Sequence, residues 1–143
     1  MKVSQVMTRD VKTVRPDTTA REAASFMLRE DAGSMPVSEG ERLVGMITDR
    51  DIAVRGIAKG HGPDTPVREL MTDELICAHE DDDVEEAATK MSQAQVRRLA
   101  VIDAKDKLCG IVSLGDLSRE AKGETAHQAL DGVSAPGDKH KQG

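Results

Sequence analysis

With 143 residues, the chain fits one compact domain or two very small ones. Its formal charge of −6, at 32% charged and 38% hydrophobic residues, excludes a general nucleic-acid binder, which needs a basic face. Phe26 is the single aromatic residue, which excludes a base-stacking platform, and no apolar run is long enough to span a bilayer. The core must therefore come from Val, Ile, Leu, Ala and the seven Met residues.

In chain order, a short helical turn leads into Met7-Thr8, and a strand is expected over Val11–Val14. Thr19 and Glu22 then form a capping box, followed by Ala20, Ala23, Ala24, Met27 and Leu28 at helical spacing. Strands over Met35–Val37 and Leu43–Ile47 flank a turn at Glu39-Gly40. A helix starts after Thr48 and runs towards Lys59-Gly60. His61-Gly62-Pro63-Asp64 reads as a linker, and Pro66 as a first-turn proline.

The same order then repeats. An offset of 64 residues lays Val3 on Val67, Met7 on Met71, Thr8 on Thr72, Glu22 on Glu86, Met27 on Met91 and Val37 on Val101. After one inserted residue the offset becomes 65, and Gly45 meets Gly110 while Asp51 meets Asp116. The second copy has a strand expected over Leu75–Ala78 and a helix from Asp83 and Glu86 carrying Val84, Ala87, Ala88 and Met91. Strands over Leu99–Ile102 and Leu108–Val112 follow, with a turn at Lys105-Asp106 and a helix after Ser113 towards Lys122-Gly123. This divides the sequence into a first repeat over 1–60, a linker over 61–66, a second repeat over 67–122, and an unpatterned tail over 123–143 read as disordered. The expected fold class is α+β: two pseudo-symmetric strand–helix–strand–strand–helix units packed sheet to sheet. A unit of this length buries only a small core alone, which favours a pair.

The informative segments are Gly45-Met46-Ile47-Thr48-Asp49-Arg50-Asp51 and Gly110-Ile111-Val112-Ser113-Leu114-Gly115-Asp116. Each runs from strand through a hydroxyl residue into a helix. A hydroxyl beside a helix start suits an anion, and an Asp one turn in can accept from a vicinal diol such as a ribose. Thr48 with Asp51 and Ser113 with Asp116 are equally good helix caps with no ligand at all.

The repeated Met-Thr start, the Met35-Pro36-Val37 strand and the G-x-x-[S/T]-x-x-D ending resemble a tandem pair of CBS domains over residues 3–121. The resemblance implies a non-catalytic regulatory pair binding an adenosine-containing ligand: AMP, ADP, ATP, S-adenosylmethionine or a dinucleotide such as NAD. It implies that Thr48 and Asp51 work with Ile76, Cys77, Ala78, Arg97 and Arg98. Ser113 and Asp116 would work with Thr13, Val14, Gly33, Ser34, Met35 and Pro36. Only the first set contains guanidinium groups, the side chains best suited to phosphate, so it is the expected main site. Ser113 and Asp116 would serve a weaker one.

No nucleophile–base constellation and no spacing typical of zinc stands out, so neither catalysis nor a metal is expected. No cofactor is required, with an adenine nucleotide as regulatory ligand. Cys77 and Cys109 read as reduced and buried, and the start of the chain lacks a signal peptide, which predicts a cytoplasmic protein. The resemblance also implies a homodimer through the helices, with Ala23, Ala24, Ala87 and Ala88 either packing against a second copy or facing the core. The pair fills most of the chain, so its output is expected to act on an effector protein that the sequence does not name, or through a changed pair or dimer arrangement. The alternative is a ligand-independent dimerisation or interaction module with vestigial clefts. Neither nucleic acid nor membrane is an expected partner.

Overall fold

The computed structural model describes residues 1–73 and 75–120. The unpatterned 123–143 segment and the expected Lys122-Gly123 helix end lie outside these residues. The described residues form two compact units: one joins Met1–Val11 to the chain from Ile76 to Glu120, and the other is Lys12–Leu75. The repeats of the sequence and the units in space are therefore cut differently. Each repeat's leading segment belongs to the unit built from the other repeat's strands and helices.

In the Lys12–Leu75 unit, α1 (Ala20–Glu30) precedes an antiparallel hairpin of β1 (Ser34–Glu39) and β2 (Arg42–Thr48). Thr19 and Glu22 close the expected capping box, and the helix ends on Asp31 in the left-handed region. Gly40 makes the hairpin turn at φ 62°, where a glycine has no steric cost. Val14, Ala20, Ala23, Met27, Met35, Val37 and Ile47 form the core. Val67 and Leu70, from the 3₁₀ turn Val67–Glu69 that opens the second repeat, complete it.

The other unit repeats this plan. It has β3 (Cys77–His79), α2 (Val84–Ala94), β4 (Arg98–Ile102), β5 (Leu108–Ser113) and α3 (Leu114–Glu120). The sheet order is β3-β4-β5, parallel then antiparallel. Asp83 and Glu86 close the capping box, Gln95 ends α2 in the left-handed region, and Asp106 makes the turn. Val3, from the 3₁₀ turn Val3–Gln5, sits fully buried among Ala87, Ala88, Met91, Leu99, Val101, Val112 and Leu117. Its amide donates to the Asp82 carbonyl at 2.8 Å, as the Val67 amide does to Thr18.

Five expectations are corrected. The first strand of copy two is Cys77–His79, two residues later at its start than the expected Leu75–Ala78. That of copy one shrinks to a single parallel bridge, Val14 to Val37. Proline explains the second loss. Glu80 donates its N–H to the Ile102 carbonyl at 3.0 Å, whereas the matching Pro16 has none, and Pro36 stands where Ala100 keeps its N–H. Pro66 precedes its turn as an extended cap residue rather than opening it. The helix after Thr48 is a six-residue π-helix, Asp51–Gly56, running into a 3₁₀ turn, Ile57–Lys59. Finally, Cys77 and Cys109 are half-buried, not buried. Of the four alanines, Ala23, Ala87 and Ala88 pack into the cores, and only Ala24 is exposed.

Candidate functional site

Each unit ends its hairpin in the same hydrogen-bonded device. The Thr48 N–H donates to Asp51 Oδ2 at 3.0 Å, and the Asp51 N–H donates back to Thr48 Oγ1 at 3.0 Å. The Ser113 N–H donates to Asp116 Oδ2 at 2.9 Å, and the Asp116 N–H to Ser113 Oγ at 3.1 Å. These are reciprocal caps, so that structural reading of the motif is realised twice. The caps do not exhaust the groups. A hydroxyl that accepts from an amide keeps its own proton to donate, as Thr48 and Ser113 do here. Asp51 spends Oδ2 on the cap and turns Oδ1 towards Arg55 Nε at 3.8 Å.

Two structural features hold the device in place. The Thr72 and Met46 backbones exchange hydrogen bonds at 2.9 Å in both directions, and Thr8 does the same with Ile111 at 2.8 and 2.9 Å. This brings Met71 over Gly45 and Met7 over Gly110. A Cβ at Gly45 would lie 2.7 Å from the Met71 sulfur, and one at Gly110 would lie 2.6 Å from the Met7 sulfur. The first Gly of the motif is thus needed for close approach by the Met-Thr leader, and the leader supports the strand that carries the hydroxyl.

The units bring the expected residues together in the following way. In Lys12–Leu75, Ser34 pairs with Thr48 across the hairpin, and the Gly33 carbonyl accepts from the Asp49 N–H at 2.9 Å. Val14 donates to the Pro36 carbonyl at 3.1 Å, placing Thr13, Val14, Met35 and Pro36 in that same unit. In the other unit Arg98 pairs with Ser113, and the Arg97 carbonyl accepts from the Leu114 N–H at 2.8 Å. Cys77 and Ala78 pair with Ala100 and Val101 on the next strand, and Ile76 precedes them, exposed. Within their units, then, Arg97 and Arg98 stand beside Ser113 and Asp116, while Gly33 and Ser34 stand beside Thr48 and Asp51.

Arg97 and Arg98 carry the positive charge at their hairpin end. Neither is in an ion pair among the described residues, although the chain holds 26 acidic residues against 20 basic ones. The Nε of Arg97 is buried without a hydrogen-bond partner, and a buried donor left unpaired costs about 1–3 kcal/mol. The sequence leaves Arg55 open between a surface place and a phosphate contact; in the structure its Nη1 reaches the carbonyls of Leu70 at 3.4 Å and Met71 at 3.1 Å. Nothing in the local pattern marks a contact that spans the linker.

Burial raises the Cys77 thiol above its ordinary range, against the pull of Lys90. Burial and the nearby carboxylates of Glu80 and Asp103 do the same to Cys109. Neither is an activated nucleophile. Among the described residues no three His, Cys, Asp or Glu side chains stand close enough together to hold a metal ion. No described helix is long and apolar enough to cross a membrane.

A duplicated α+β unit with a hydroxyl–carboxylate pair at each hairpin end defines a tandem module. The CBS domain family matches residues 3–55 and 67–123, and this chain belongs to it. The CBS domain-containing protein YhcV of Bacillus subtilis is 44% identical over 133 residues, covering 92% of this chain and 94% of that protein. Among solved structures, CBSX2 in complex with AMP is 28% identical with a TM-score of 0.74, covering 84% of this chain and 95% of that one. The CBS domain pair of MJ0100, solved with 5′-methylthioadenosine and S-adenosyl-L-methionine, is 31% identical with a TM-score of 0.72, covering 83% and 94%. Hypoxic Response Protein I, solved with two coordinated zinc ions, is 33% identical with a TM-score of 0.78, covering 84% and 98%.

Proposed function

We propose that this chain is a non-catalytic regulatory module whose ligand is an adenine nucleotide: AMP, ADP, ATP or an NAD-like dinucleotide. The observation that carries the reading is the twice-built hydroxyl–carboxylate pair, Thr48 with Asp51 and Ser113 with Asp116. Each hydroxyl keeps a proton for a phosphate or ribose oxygen. The related structures of CBSX2 and MJ0100 hold adenosine compounds, which supports the same class here. Following the family resemblance, Arg97 and Arg98 are assigned the charge for phosphate in the set with Thr48, Asp51, Ile76, Cys77 and Ala78, although within their own unit they stand beside Ser113 and Asp116. Ser113 and Asp116, with Thr13, Val14, Ser34, Met35 and Pro36, form the weaker set. No cofactor is required in this reading, which goes with a cytoplasmic homodimer acting on an effector protein.

The test is thermal unfolding with and without AMP, ATP and NAD. A ligand at 100-fold excess over its dissociation constant stabilises by about 2.7 kcal/mol. An Arg98→Ala variant is expected to lose most of the affinity for AMP; undiminished binding would remove Arg98 from the phosphate site. A second reading, a ligand-independent interaction module, is favoured by two exposed apolar side chains, Leu28 at 83% and Ile57 at 71% exposure. It predicts no shift with any adenine compound and a sedimentation coefficient that falls when Leu28 and Ile57 become Ser.

A further inference from the structure

Arg55 touches two things at once. Its Nε lies 3.8 Å from Asp51 Oδ1, the carboxylate oxygen that the cap leaves over. Its Nη1 donates to the carbonyls of Leu70 and Met71 at 3.4 and 3.1 Å. Those carbonyls belong to the leader that carries Val67 and Leu70 into the core and seats Met71 against Gly45. Thr72 follows, in its two-way exchange with Met46. Three residues later the chain leaves this unit at Leu75 and enters the other at Ile76. One side chain therefore joins a candidate ribose contact to the leader that precedes the covalent joint between the units.

Three further features point the same way. The stretch from Asp51 to Gly56 is a π-helix, a form frequent at functional positions. Gly56 packs against Leu70, so the helix and the leader touch closely beside the arginine. The arginine is not repeated in the sequence, because the 65-residue offset puts Glu120 at the place of Arg55.

We propose that Arg55 is a positioning residue that ties the Asp51 carboxylate to the leader Val67–Thr72, so that a ribose taken up by Asp51 loosens the leader. This rests on the ligand reading above, in which Asp51 accepts from ribose. A ribose hydroxyl on Oδ1 competes with Arg55 for the same oxygen. The guanidinium then has the two carbonyls alone, loses one of its anchors, and holds the leader less firmly.

The experiment is amide hydrogen exchange at Met46 and Thr72, in the full chain, with saturating AMP and without it. With Arg55 present, AMP speeds exchange about two- to fivefold, the size a half-exposed ion pair allows. In Arg55→Gln, AMP leaves the rate unchanged. A ligand-free arm uses Asp51→Asn, which removes the charge that Arg55 pairs with. It speeds exchange by the same factor with Arg55 present and has no effect in the Arg55→Gln background. Arg55→Lys, which keeps the cation but cannot span both ends, behaves as Gln does and serves if that variant folds poorly. An Asp51→Asn effect that survives without Arg55, or that is absent with it, overturns the proposal. If the ligand-free arm behaves as stated and no adenine compound binds, the tie stands and the ligand reading fails.

Discussion

The two units agree down to single hydrogen bonds and disagree in charge. Val3 and Val67 donate to matching carbonyls, Thr8 and Thr72 make the same two-way exchange, and both hydroxyl–carboxylate caps close within 3.1 Å. Yet Gly33-Ser34 faces Arg97-Arg98 in the alignment, and Arg55 faces Glu120. What is shared lies in cores and backbone ladders, where any change leaves a void or an unpaired group. What differs lies at hairpin ends and helix surfaces, where substitution costs the fold little. The divergence is therefore free to serve ligand and partner, and each shared or divergent pair can be tested against its counterpart.

The largest expected effect breaks the symmetry of the cores. Leu117 is fully buried, whereas its counterpart Ile52 is only partly so. Leu117→Ala is expected to cost about 2–5 kcal/mol, the range for a large-to-small core change. Ile52→Ala should cost roughly 1 kcal/mol, since much of that side chain already meets water. Urea unfolding of the two variants measures the difference, and equal losses would mean that Ile52 is covered in solution.

The glycines should behave alike. A Cβ at Gly45 or Gly110 meets a methionine sulfur and also a threonine carbonyl at 2.9 Å. Each Gly→Ala is expected to cost about 1–3 kcal/mol. Trimming the methionine relieves only part of this, because the carbonyl is backbone. A glycine that tolerates Ala at no cost in melting temperature would show that its leader is not held on the strand.

Much of this was legible beforehand, and the reasons are physical. Both capping boxes, both turns and the hairpin strands follow from local chemistry, since Thr19 and Glu22 or Asp83 and Glu86 act across three residues. The exchange of leaders was not legible, because Val3 and Val67 read as apolar in either unit and nothing local says which core they enter. The lost first strand could have been foreseen from Pro16 and Pro36, whose missing N–H groups end a ladder. The π-helix has no sequence signature of its own. At the site, the hydroxyl–carboxylate pairs were legible as caps, while the tie from Arg55 to Leu70 and Met71 depends on tertiary geometry.

A smaller effect separates cap from ligand contact. Thr48→Ala and Ser113→Ala should each cost about 1 kcal/mol without ligand, as lost caps do. With AMP present, the variant whose hydroxyl also serves the ligand loses more, and calorimetric binding to both variants tells which. Equal affinity in parent and variants would confine both hydroxyls to capping.

The smallest effect concerns acid. The His79 N–H donates to Asp82 Oδ2 at 3.0 Å in one unit, and the Arg15 N–H donates to Thr18 Oγ1 at 2.9 Å in the other. The geometry is the same, but one acceptor titrates. Burial alone would raise the Asp82 carboxyl; the His79 N–H and Lys90, whose Nζ is 3.4 Å away, outweigh it and hold the group below its ordinary 3.8. A carboxyl depressed by folding stabilises the folded state above its unfolded value, and that contribution fades as pH falls through the lower folded value. The unit with Asp82 should therefore lose at most about 1 kcal/mol below pH 4, the scale of a partly exposed ion pair. Asp82→Thr, which writes the residue of the other unit, keeps the acceptor and removes the charge. It should flatten the acid limb of the stability curve while leaving the neutral plateau lower by the same small amount. An unchanged acid limb would place the acid sensitivity elsewhere and leave the two acceptors equivalent.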